Sequence, residues 1–110
     1  MLDRSGSVCY FIVMAYLRYT CPGRKPQLIQ LIKDVLVIGR SPQCDLPLAD
    51  DNASRKHCQV RKWAGRFVVE DLASKNGTFV NGAKIAKEHS LVDGDLIAVG
   101  DTTISFKTDQ

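Results

Sequence analysis

The stretch NASRKHCQV, Asn52 to Val60, gathers an asparagine sequon, a hydroxyl, two adjacent cations, a histidine and a cysteine. Several chemistries suit such a set: glycosylation at Asn52-Ala53-Ser54, metal binding or nucleophilic attack at His57-Cys58, anion binding at Ser54-Arg55-Lys56. The plain alternative is a basic turn leading into a β-strand. Two other stretches carry donors of a similar kind. Gly39-Arg40 ends an apolar run and enters a loop, and Ser74-Lys75-Asn76-Gly77-Thr78 offers hydroxyls, an ammonium and an amide.

The catalytic and metal readings fail on spacing. Adjacent residues of a strand point to opposite faces, so His57 and Cys58 cannot serve one compact site. Alternation puts Cys58 and Val60 on one face and His57, Gln59 and Arg61 on the other. The remaining histidine, His89, sits in KEHS, which reads as a solvated turn. No Ser-His-Asp order and no G-x-S-x-G elbow is present. The sequence therefore points to no enzyme, no metal and no cofactor. His57 reads better as a structural histidine that holds an adjoining loop. The four cysteines, Cys9, Cys21, Cys44 and Cys58, form no C-x-x-C pair, which favours reduced thiols over a zinc site or a disulfide framework. A second sequon, Asn76-Gly77-Thr78, has the composition of an ordinary turn.

The anion reading survives because it draws on three places at once. Arginine presents a planar fork that matches phosphate oxygens. Glycine before it permits an unusual backbone angle or close backbone approach. A phosphate monoester carries about −1.5 to −2 charge and three acceptor oxygens, which suits hydroxyls and cations converging from several loops.

Such convergence needs a scaffold of strands with loops gathered at one end. The chain has 110 residues, 45% of them hydrophobic, enough for one domain with its own core. The net charge of +3 does not by itself suggest nucleic acid. Short β segments alternate with turn signals. PQLIQLI and VLVIGR flank Lys33-Asp34, which reads as a hairpin. HCQVRKW and RFVVEDL flank Ala64-Gly65. Asn81-Gly82 between TFV and AKI is a hairpin signal, since both residues tolerate the positive φ of a type I′ turn. SPQCDLPLADDNAS reads as loop. No long amphipathic helix is visible, so the fold expected is all-β, a two-sheet antiparallel β-sandwich with binding loops at one end.

The apolar run from Val8 to Leu17 is too short to span a bilayer and lacks a signal-peptide cleavage site. Residues 1–13 are expected to be a leader, non-native or an extension of the first strand, with the domain over 14–108 and a frayed 109–110. A cytoplasmic protein is expected, with the nucleus open if the source is eukaryotic.

VIGRSPQCDLPL, ASRKHCQV, EDLASKNGTFVNG and LVDGDLIAVG, in this order, resemble the forkhead-associated (FHA) domain, a phosphothreonine-binding family with an FHA/SMAD-like sandwich. The likeness runs over roughly Tyr16 to Lys107. It implies that Arg40, Ser54, Arg55 and Lys75 contact the phosphate and that Asn76 bonds the peptide backbone beyond the phosphothreonine. Lys75 stands where a small hydroxyl residue is frequent in the family. The loop holding Asp50, Asp51 and Asn52 is expected to read the third residue after the phosphothreonine, disfavouring an acidic one. Gly39, His57, Gly77, Asn81 and Gly82 are expected to be architectural.

The partner implied is a phosphothreonine-containing protein or peptide, marked by an upstream Ser/Thr kinase. A monomer is expected, with no nucleic acid and no membrane. The alternatives are phosphate-independent protein docking on the same sandwich and nucleic-acid binding through Arg55, Lys56, Arg61 and Lys62.

Overall fold

A computed structural model describes residues 15–63 and 65–108. The expected leader over 1–13, the start of the domain at Met14, Ala64 and the frayed 109–110 lie outside the described residues.

The described residues hold eleven strands and no helix. One sheet of six strands runs β2 (Gln27–Gln30), β1 (Ala15–Thr20), β11 (Thr102–Thr108), β10 (Leu96–Val99), β7 (Thr78–Val80), β8 (Ala83–Lys84). The second, of five, runs β4 (Leu46–Pro47), β3 (Val35–Gly39), β5 (Cys58–Trp63), β6 (Arg66–Asp71), β9 (Glu88–Ser90). All pairings are antiparallel except the short β3–β4 contact, which is parallel. The four edge strands are only two to four residues long. Short edges offer little template for pairing with another chain.

Alternation builds the core. In β1, β3, β6 and β11 every second residue turns inward. Leu17, Ile97, Val99, Ile104 and Phe106 from one sheet meet Ile38, Val60, Phe67 and Val69 from the other. Each such side chain contributes roughly 1.5–3 kcal/mol by leaving water. The Phe67 and Phe106 rings bridge the sheets with centroids 5.4 Å apart and planes tilted by 54°. This lies in the range where aromatic pairs attract beyond simple burial.

Several local expectations need correction. Lys33-Asp34 is not a hairpin. β2 pairs with β1 in one sheet and β3 with β5 in the other, so the segment is a crossover between layers. Short apolar runs on either side of a turn do not reveal whether they share a sheet. Leu46–Pro47 makes a brief strand inside the expected loop. His89 lies in edge strand β9, not a turn, although its side chain is exposed.

Asn81-Gly82 makes the expected hairpin, with φ of 52° and 86° and Val80 facing Ala83. Asn81 does more than turn the chain. Its side chain donates to the Asp95 carboxylate at 3.0 Å and accepts the Leu96 N–H at 3.0 Å. The hairpin is thereby pinned to β10.

Candidate functional site

Strand direction gathers the three donor-bearing loops. β5 is antiparallel to both β3 and β6, so the end of β3, the start of β5 and the end of β6 lie at one edge of the sheet. The β10–β11 turn at Gly100-Asp101 reaches the same end, because Val99 at the end of β10 faces Thr78 at the start of β7. Arg40 follows β3, Ser54 to His57 precede β5, and Lys75 to Gly77 follow β6. Arg40, Asp51, Asn52, Ala53, Ser54, Arg55, Lys75 and Asn76 line one open groove of about 430 Å³.

Backbone bonds fix the relative positions of the loops. The Arg40 N–H donates to the Ser54 carbonyl at 3.0 Å and the Ser41 N–H to the Arg55 carbonyl at 3.1 Å. The His57 N–H donates to the Ile38 carbonyl at 2.9 Å. Gly39 makes this contact possible by having no side chain. A Cβ there would stand 2.1 Å from the Arg55 carbonyl oxygen. Its φ is not positive, so the glycine serves close approach and not an unusual backbone angle.

His57 sits behind the loops and is fully buried. The outward face expected from strand alternation is not where it points, because β5 begins only at Cys58. Its Nδ1 accepts the Ser54 N–H at 3.1 Å. The proton therefore resides on Nε2, which donates to the Gly77 carbonyl at 2.8 Å. One imidazole thus ties the Ser54 loop to the Asn76 loop. Gly77 has φ of 86°, in the left-handed region that glycine occupies without penalty.

A second hub went unread in the sequence. Asp71 accepts hydrogen bonds from the Ser74 N–H at 3.2 Å, from the Ser74 hydroxyl and from the Thr78 hydroxyl at 2.7 Å. Ser74 Oγ in turn accepts the Gly77 N–H at 3.0 Å. Burial pushes the Asp71 carboxyl upward, but these bonds outweigh it and hold it below the usual carboxylate range. The D-x-x-S spacing from Asp71 to Ser74 and the following Thr78 was the available signal, since Asp side chains cap turns three residues on.

The groove side chains keep free donors. Ser54 Oγ accepts the Lys75 N–H at 3.0 Å, which leaves its own O–H to donate. Asn76 Nδ2 gives one hydrogen to the Asn52 carbonyl at 2.9 Å, leaving its second hydrogen and its Oδ1 available. Arg40, Arg55 and Lys75 are exposed, and none pairs with a carboxylate among the described residues.

The expected specificity loop divides. Asp50 is 5% exposed, and its carboxylate accepts from the Thr102 hydroxyl at 2.7 Å and from the Asn52 and Asp101 N–H groups at 2.9 and 2.8 Å. Burial raises its pKa, but these donors more than offset the effect and lower it overall. Asp50 is therefore scaffold and cannot read a peptide residue. Asp51 and Asn52 remain exposed at the groove. Asn52 also donates to the Asp101 carboxylate at 2.5 Å.

The basic patch considered for nucleic acid is broken up. Arg61 is held by Glu88 at 2.6 Å and lies 3.5 Å from Glu70. Lys62 lies 6.0 Å from the Phe67 ring, on the opposite side of β5. Burial also pushes the Cys58 thiol up to about 12, far from the range of a reactive thiolate. The described cysteines Cys21, Cys44 and Cys58 are unpaired. No helix among the described residues is long and apolar enough to cross a membrane.

The FHA domain profile matches residues 36–100, which contain the three loops. The chain belongs to the FHA domain family. Its family is one of binding modules, not of enzymes. FhaB of Mycobacterium tuberculosis, an FHA domain-containing protein, is 33% identical over 79 residues, covering 72% of this chain and 51% of FhaB. The chain thus spans about half the length of that relative. An FHA structure solved in a study of phosphothreonine-dependent interactions superposes with a TM-score of 0.78 at 31% identity, covering 86% of this chain and 95% of that one. Mycobacterium tuberculosis EmbR in complex with a low-affinity phosphopeptide gives a TM-score of 0.77 at 30% identity, covering 96% of this chain and 26% of EmbR.

Proposed function

We propose that this FHA domain is an adaptor module that binds phosphothreonine in partner proteins marked by a Ser/Thr kinase. The observation that carries the reading is the convergence of Arg40, the Ser54 hydroxyl and Asn76 on one groove, each with an unused donor. Arg40 offers its guanidinium fork to two phosphate oxygens and Ser54 donates its hydroxyl to a third. Arg55 and Lys75 add charge at the rim. Asn76 bonds the main chain just beyond the phosphothreonine, and Asp51 and Asn52 face the residues that follow. The relatives support this reading, since one was studied for phosphothreonine-dependent interactions and another was solved with a phosphopeptide. A cytoplasmic setting accords with it.

Phosphate-independent docking would use the same scaffold without needing those donors. Fluorescence anisotropy with paired phosphorylated and unphosphorylated peptides separates the two. Arg40→Ala and Ser54→Ala are each expected to weaken phosphopeptide binding at least tenfold, since a hydrogen bond to a charged group contributes about 1.5–3 kcal/mol. Their circular dichroism spectra should match the parent. Equal affinity for both peptide forms would favour plain docking.

A further inference from the structure

The groove continues past the phosphate contacts. Arg40 and Arg55 also line a second depression of about 370 Å³ with Ser41, Pro42 and Gln43. The two depressions therefore meet along the Arg40–Arg55 pair, one opening toward Asn52 and Asn76 and the other toward Gln43.

The donors of the second depression are unspent. Ser41 Oγ accepts the Gln43 N–H at 3.2 Å, which leaves its O–H to donate. The Gln43 side chain is exposed and bonds to nothing among the described residues. Lys56 is exposed and directly follows the Arg55 carbonyl, which accepts from the Ser41 N–H and from the Cys44 thiol, each at 3.1 Å, so its backbone adjoins the Ser41–Cys44 loop. Neither Arg55 nor Lys56 has a carboxylate partner among the described residues. The opposite end of the groove is acidic, with Asp51 and Asp101 exposed beside Asn52.

Carboxylates thus stand at one end of the site only, where Lys75 also lies, and none lines the Gln43 end. Four cations, Arg40, Arg55, Lys56 and Lys75, are more than one phosphate of about −1.5 to −2 neutralises. Asn76 and Gln43 line the two depressions that share Arg40 and Arg55, so on the phosphothreonine reading the residues that precede the phosphothreonine run toward Gln43.

We infer that Ser41, Gln43, Arg55 and Lys56 form a second anion subsite, which takes an anionic side chain on the N-terminal side of the phosphothreonine. This rests on the phosphothreonine reading and adds to it a charge order along the ligand. The anion is a carboxylate or a second phosphate, since both offer acceptor oxygens to the same donors. The acidic end acts in the opposite sense on residues that follow.

The test uses one phosphothreonine peptide carrying Ala, Glu, Lys or a second phosphothreonine two residues before the central one. Binding is read by fluorescence anisotropy at low and high salt. An anionic residue is expected to tighten binding about three- to fivefold over alanine at low salt, as exposed ion pairs allow. Lysine should weaken it, and added salt should flatten the series. A gain with glutamate assigns the subsite to carboxylates, and a gain confined to the second phosphothreonine assigns it to phosphate. Lys56→Ala should shrink the gain and Lys56→Glu should reverse the order in favour of lysine.

Indifference to the preceding residue, with phosphate dependence intact, overturns the subsite alone. So does a gain that both Lys56 variants leave unchanged. Loss of discrimination between phosphorylated and unphosphorylated peptides removes the phosphothreonine reading and the subsite together.

Discussion

Replacing Gly39 by alanine tests whether one backbone contact holds the site together. The added Cβ would lie 2.1 Å from the Arg55 carbonyl oxygen, 2.8 Å from its carbon and 3.0 Å from the His57 nitrogen. Ordinary contact begins near 3.4 Å, and the atoms met are backbone, which cannot swing aside. The Arg55 segment must therefore retreat by about 1 Å, far beyond the slack of a close-packed interior. Three bonds stand in the way: Arg40 N–H to Ser54, Ser41 N–H to Arg55 and His57 N–H to Ile38. Each contributes a net of about 0.5–1.5 kcal/mol, so weakening them together costs about 2–4 kcal/mol of stability. The same retreat moves Ser54 and Arg55 away from Arg40, and phosphopeptide affinity should fall more than tenfold. Urea denaturation gives the first quantity and anisotropy the second. A Gly39→Ala protein within about 0.5 kcal/mol of the parent, with unchanged affinity, would refute the reasoning.

His57→Ala should destabilise the fold by about 2–4 kcal/mol in urea, because it opens a buried space and strands the Ser54 N–H and the Gly77 carbonyl. Asp50 and Asp71 are both held below their ordinary pKa of 3.8, so the folded state gives up their protons more readily than the unfolded chain. Stability from these groups is present above about pH 4 and is lost as pH falls through the lowered values; urea midpoints at pH 7, 5 and 3 should show it, and Asp71→Asn should flatten the acid limb. Phosphopeptide affinity should fall between pH 7 and pH 5, as the phosphate loses its second charge near pH 6, and calorimetric titration across that range measures it.

The legibility of this protein differs from element to element. Cys58 and Val60 could be placed in the core because the side-chain period of a strand is local. Asn81-Gly82 could be placed in a hairpin because few residue pairs tolerate two positive φ angles. The hub formed by Asp71, Ser74 and Thr78 has a spacing visible in the sequence, but each residue alone looks like common turn chemistry. The crossover at Lys33-Asp34 left no local signal, because sheet membership depends on partners distant in the chain.

By itself the sequence determined which residues carry donors and which are apolar, and hence an all-β chain with anion-compatible loops. Resemblance adds the roles expected of Arg40, Ser54 and Asn76. Only the tertiary structure decided what those donors are free to do. Asp50 and Asp51 are identical neighbours in the sequence, yet one is buried against Thr102 and the other faces the groove. Arg55 and Arg61 are both arginines near one strand, yet only Arg61 is paired with glutamates. Burial and pairing are properties of what packs alongside, and they separate a residue free to meet a ligand from a scaffold residue of the same type.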